Sequence, residues 1–94
     1  MSSGTEPTVE ESQRSSAGLP IEWKGDLGDD CTAAWAGLTL RAESMKRGSW
    51  WWAVYDDRTG ETLDSSNEST EQVTNGKNAR AAAERAARKW LDRR

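Results

Sequence analysis

Large hydrophobic residues are sparse in this chain, and they cluster. The densest cluster is Gly48-Ser49-Trp50-Trp51-Trp52-Ala53-Val54-Tyr55-Asp56, where three consecutive indoles, a β-branched residue and a tyrosine favour an extended backbone. Side chains alternate between the faces of a strand. Trp50, Trp52 and Val54 therefore fall on one face, and Trp51, Ala53 and Tyr55 on the other. A strand that is apolar on both faces needs cover on both, from a helix, a second sheet or a partner. The segment before it, Leu38 to Met45, alternates cleanly, with Leu38, Leu40 and Ala42 inward and Thr39, Arg41 and Glu43 outward. Lys46-Arg47-Gly48 between the two has the length of a hairpin link. Cys31 to Trp35 reads as a preceding strand, joined through Ala36-Gly37, and Glu61 to Ser65 as a short polar edge strand.

The flanks are polar. Lys24 to Asp30 has the composition of a turn. Upstream of it, Leu19 to Trp23 is extended because Pro20 biases its predecessor away from helix, and Trp23 is a candidate edge contribution to the core. Ser66 to Gly76 is a long polar loop with only Val73 to bury, read as a flexible linker that swings the chain onto one sheet face. From Asn78 to Asp92 the period changes to that of a helix. Ala79, Ala82, Ala83, Ala86, Ala87, Trp90 and Leu91 form one stripe, in the residue with the highest helix propensity. Glu84 precedes Arg88 by one turn in the favourable order, and Thr74, Asn75 and Asn78 are candidate caps. An alanine stripe suits close approach to the indoles of Trp50 and Trp52. The expected fold class is α+β: three to four antiparallel strands in a meander with one C-terminal helix packed on one face. Met1 to Pro20, rich in Ser, Thr, Glu and Gly, is expected to be a disordered tail, leaving 21–94 as one small domain.

Of the 94 residues, six are tryptophan, none is phenylalanine and one is cysteine, so indoles must supply much of the core and no disulfide framework helps. A lone thiol fits a reducing compartment. There is no basic n-region with an apolar h-region and no long apolar run, so a soluble, cytoplasmic protein without a membrane span is expected. The net charge of −3 is unevenly laid out. Residues 1–20 carry −2, 21–49 carry −1, 50–76 carry −5, and 77–94 carry +5.

Catalysis has little to stand on. Histidine is absent, which removes the commonest general base and metal ligand. Cys31 has no histidine to activate it, and the pairs Asp29-Asp30 and Asp56-Asp57 sit where turn aspartates are ordinary. No glycine-rich phosphate loop precedes the helix. We expect no enzyme, no cofactor and no metal.

Two surfaces remain as candidates. Arg88, Lys89, Arg93 and Arg94 lie near the helix C-terminus, where cations are stabilising without any function. Lys77 and Arg80 lie at its start, where an anion would be welcome. Together with Lys46 and Arg47 in the hairpin link, and with Arg85, they form a candidate nucleic-acid surface. Its bland counterpart is a solvated basic face. The other candidate is the sheet face opposite the helix, where Trp51 and Tyr55 are either exposed apolar residues of an ordinary kind or a stacking and docking surface.

Asn75-Gly76-Lys77-Asn78-Ala79-Arg80-Ala81-Ala82-Ala83 after a meander is similar to the last half of double-stranded-RNA-binding domains. That resemblance puts Lys77 and Arg80 where the family grips phosphates across the major groove. It covers about a quarter of the chain by the same comparison, and Glu84 departs from the basic pattern. No leading helix precedes the strands, and no histidine occupies a strand–strand loop. The chain as a whole resembles short bacterial and phage proteins that share a Gly-x-Trp-Trp-Trp-x-Val-Tyr strand and an alanine–arginine helix, which implies no function. The leading expectation is a small binding protein that contacts nucleic acid. The alternative is a protein-interaction or self-association module built on the aromatic face.

Overall fold

A computed structural model describes residues 18–68 and 73–93. The tail expected over 1–20 lies, apart from its last three residues, outside the described residues. Five strands form one antiparallel sheet in sequence order: β1 (Lys24–Asp26), β2 (Asp30–Trp35), β3 (Leu38–Ser44), β4 (Trp50–Asp56) and β5 (Thr62–Ser65). Short 3-10 turns at Lys46–Gly48 and Ser66–Glu68 follow β3 and β5, and α1 (Gly76–Asp92) is the one α-helix among the described residues. The α+β meander is as the hydrophobic pattern predicts, but the count of three to four strands is corrected to five. The added strand is β1, inside the stretch read as a turn. Its sequence, Lys-Gly-Asp, carries no strand signal and is exposed throughout. Pairing with β2 creates it (Lys24 with Thr32, Gly25 with Cys31, Asp26 with Asp30). Gly25 permits that approach, because a Cβ there would lie 2.9 Å from the Asp30 carbonyl oxygen.

The central hairpins follow from their turns. Ala36 and Gly37, with φ of 53° and 76°, make the two-residue loop whose twist matches paired strands. Ala36 holds a conformation that non-glycine residues avoid, and its methyl group is buried in the core. Leu38, Leu40 and Ala42 then face Asp56, Val54 and Trp52 across β3–β4, and all six are buried. On the same side lie Cys31, Ala33 and Trp35 of β2 and the α1 alanines Ala79, Ala82, Ala83 and Ala87.

Five of the six indoles serve this one core: Trp35 and Trp52 inside it, and Trp23, Trp50 and Trp90 packed against its margin. Small helix residues let the α1 backbone come close to these large rings, as dense packing requires. The segment before β1 is tied across the helix side. Trp35 Nε1 donates to the Leu19 carbonyl at 2.9 Å, and Trp23 Nε1 donates to Glu84 Oε2 at 3.1 Å.

The helix begins two residues earlier than the alanine stripe predicts. Of the three candidate caps it is Asn75 that acts, its Oδ1 accepting from the Asn78 N–H at 2.8 Å. The ends of the long polar loop are stitched to the sheet. Trp50 N–H donates to the Val73 carbonyl at 2.9 Å, Trp52 N–H to Ser66 Oγ at 3.2 Å, and Val73 is buried. Residues 69–72 of that loop, read as a flexible linker, lie outside the described residues.

Gly76 yields a test of sign. Alanine within a helix ordinarily stabilises relative to glycine by about 1 kcal/mol. Here a Cβ would sit 2.9 Å from Trp50 Cη2 and 3.0 Å from the Leu27 carbonyl oxygen. Gly76→Ala is therefore expected to lower the urea midpoint, by about 1–3 kcal/mol of stability as for an overpacked core site. A second contrast follows from the two faces. Trp52→Ala is expected to cost about 3–5 kcal/mol, as for truncation of a buried aromatic, and Trp51→Ala less than about half of that.

Candidate functional site

Strand register decides what the helix leaves uncovered. Cross-strand partners share a face, so the open face is three rows: Asp26–Asp30–Glu43–Trp51, Lys24–Thr32–Arg41–Ala53–Ser65, and Ala34–Thr39–Tyr55–Thr62. Trp51 and Tyr55 are half-buried there, Ala53 between them is fully covered, and Thr32 and Ala34 are exposed. A β-bulge between Val54 and Tyr55 marks the passage to β5.

Arg41 organises the first two rows. Its Nη2 lies 3.1 Å from Asp30 Oδ2 and 3.6 Å from Glu43 Oε2, and its guanidinium stacks 6.0 Å from the Trp51 ring centroid. The hydrogen bonds that Arg41 donates to Asp30, together with that carboxylate's charge, hold Arg41 above the ordinary arginine value. Arg41 thus balances a row in which Asp26, Asp30 and Glu43 stand side by side, an arrangement that repels. At the other rim Thr39 Oγ1 donates to Asp57 Oδ1.

The candidate cations are distributed unevenly. Trp50 joins the hairpin turn to the helix start, through its N–H on Val73 and its ring against Gly76. Lys46 and Arg47 therefore sit at the same end of the sheet as Lys77 and Arg80, while Arg85 lies further along α1. Lys46, Lys77 and Arg85 are exposed. Arg80 folds back instead, its Nη1 donating to the Leu27 carbonyl at 2.9 Å. The β1–β2 turn, whose Asp29 carbonyl accepts from the Ser44 N–H at 2.6 Å, brings carboxylates to this same end. The helix pattern shows one role of Glu84, the pair with Arg88, and not the other. Glu84 pairs with Arg88 at 3.4 Å and also anchors Trp23, a contact across 61 positions that no local signal encodes.

Among the described residues no group of three or more carboxylate and thiol side chains is arranged to hold a metal ion, and no helix is long and apolar enough to cross a membrane. Compared with protein-family models, with curated proteins and with solved structures, the chain gives no match.

Cys31 is buried. Burial pushes its thiol up, with the hydrogen bond and charge of Arg80 pulling the other way. A thiol raised in the folded state adds stability at low pH and loses it as the pH climbs past the unfolded value. Stability should therefore fall above the ordinary thiol pKa of 9.0. Urea midpoints measured across that range for the parent chain and for Cys31→Ala should converge as the pH rises.

Proposed function

We propose that this protein is a small non-enzymatic binding module that docks a protein partner on the uncovered sheet face, with Trp51 and Tyr55 as anchors. The supporting observation is that α1 covers one face, while Trp51 and Tyr55 lie half-buried on the other. Aromatic side chains of this kind dominate binding hot spots, because they remove much apolar area from water at little entropic cost. The carboxylates of Asp26, Asp30 and Glu43 outnumber the cations Lys24 and Arg41 on this face, so the fitting partner surface is basic. Such a partner would relieve a like-charge row that Arg41 balances only in part. A catalytic reading gains no support from a chain without histidine.

A second reading, contact with nucleic acid, draws on the convergence of the Lys46–Gly48 turn and the α1 start on Trp50. Two features favour the first reading over it: Arg80 Nη1 already donates to the Leu27 carbonyl, and the neighbouring β1–β2 turn is acidic.

A comparison of variants separates the two. Protein partners retained by the parent chain should be lost by the Trp51→Ala, Tyr55→Ala double variant and kept by the Lys46→Ala, Lys77→Ala double variant. In parallel, amide and indole NMR signals are followed against short DNA and RNA at about 50 and about 200 mM salt. Little movement is expected. Salt-sensitive shifts at Lys46 and Lys77, with partner retention unaffected by the aromatic substitutions, would overturn the docking face in favour of nucleic acid.

A further inference from the structure

β1 pairs with only the first half of β2, through Asp30, Cys31 and Thr32. Upstream of β1 the chain leaves the ladder and turns to the helix side. Leu19 is held by Trp35 and Trp23 by Glu84, and Ile21 and Trp23 pack on the core. Among the described residues, the outer edge of β2 from Ala33 to Trp35 therefore has no strand beside it.

Hydrogen-bond alternation shows which groups this exposes. The Gly37 carbonyl accepts from Asp57 N–H at 3.1 Å, so position 37 and, by alternation, Thr39 point their backbone groups towards β4. Ala34, opposite Thr39, then points its N–H and C=O outward, away from β3. Thr32, two residues earlier, is directed the same way and meets Lys24. Ala34 meets no backbone partner among the described residues.

The far side of the sheet is treated differently. Where β4 runs past β5, Trp50 N–H finds Val73, Trp52 N–H finds Ser66 and Asp56 N–H finds Glu61.

At Ala34 the departing chain opens a groove of about 550 Å3, walled by Leu19, Pro20 and Glu22 on one side and by Thr32, Ala34 and Asp57 on the other. Thr32 and Ala34 on the β2 wall are small and leave room for another backbone, and Trp35 also lines the groove. The carboxylates of Glu22 and Asp57 outnumber the one ammonium, Lys24. The groove is continuous with the aromatic face, since Ala34, Thr39 and Tyr55 form one row and Thr39 bonds Asp57.

From these features we infer that the groove takes an extended, basic peptide segment of the docked protein, which adds as a strand at the Ala34 edge. Main-chain bonds to Ala34 supply the affinity common to strand addition, and basic side chains reach Glu22 and Asp57. The inference rests on the docking face proposed above and specifies how that partner is gripped.

The test is hydrogen exchange and chemical-shift mapping by NMR on the full chain. In the free protein the Ala34 amide should exchange at least about 100-fold faster than those of Ala33 and Trp35, as for an unpaired edge group beside paired ones. The probes are two capped pentapeptides at millimolar concentration, Lys-Val-Lys-Val-Lys and its counterpart Glu-Val-Glu-Val-Glu. The lysine peptide should slow Ala34 exchange and shift Thr32, Ala34 and Tyr55, and the glutamate peptide should do neither. Ala34→Pro removes the outward donor and should abolish the effect. The Glu22→Gln, Asp57→Asn double variant, which leaves the edge intact, should weaken it.

An Ala34 amide as protected in the free chain as its neighbours would overturn the inference, as would silence with both peptides. Shifts confined to Trp51 and Tyr55 would overturn strand addition while leaving the docking face standing. Failure of the docking face itself is read separately, from the partner retention of the Trp51→Ala, Tyr55→Ala variant.

Discussion

One helix cannot cover two faces of a sheet, and the arrangement of the described residues follows from that constraint. The covered side works because α1 presents Ala79, Ala82, Ala83 and Ala87 to a surface dominated by Trp35, Trp52, Leu38 and Leu40. Large rings on the sheet and methyl groups on the helix fill the layer between them at ordinary interior density. A helix of leucines would stand further off and strand the indoles at the margin. The size match also explains why Gly76 opens the helix. At the point where α1 crosses Trp50 and the β1–β2 turn, no side chain at all can be accommodated without movement.

The same core recruits its closing segment through polar tips. The indole N–H of Trp23 reaches Glu84, and that of Trp35 reaches the Leu19 carbonyl. Arg88, paired with Glu84, stacks 5.7 Å from the Trp35 ring. A buried indole whose N–H lacks a partner costs stability, so these bonds pin residues 19–23 against the helix side of the core. Pinned there, that segment cannot also continue the β1–β2 ladder. The open edge at Ala34 is thus the geometric consequence of a well-satisfied core.

Much of this was legible in the chain. The three central strands, the helix and its alanine stripe follow from periods of 2 and 3.6 residues, and Trp51 and Tyr55 were assignable to the face opposite Trp52 by parity alone. What escaped had no local signal. β1 is Lys-Gly-Asp, whose composition says turn, and only the neighbouring edge of β2 makes it a strand. The ends of the polar loop looked unattached because Ser66 and Val73 bond β4 through one hydroxyl and one carbonyl, neither of which has a sequence signature. Nor does the helix pattern show that Arg80 donates to a carbonyl contributed 53 positions earlier.

Charge on the open face is where stability and binding pull apart. Asp26, Asp30 and Glu43 occupy directly opposed positions across three strands, where like charges work against the sheet. Replacing Asp30 or Glu43 with threonine, the residue found at positions 32, 39 and 62 of the other two rows, would suit an edge-to-centre sheet surface better. Arg41 reaches two of the three, but both ion pairs are more than a third exposed and are weakened by water and salt. The fold therefore accounts for the acidic row only in part, through Asp26, whose Oδ1 accepts from the Gly28 N–H at 2.9 Å in the β1–β2 turn. A basic partner seated between Trp51 and the groove beside Ala34 would account for the rest, because desolvating those carboxylates against opposite charge strengthens the attraction that an exposed pair lacks.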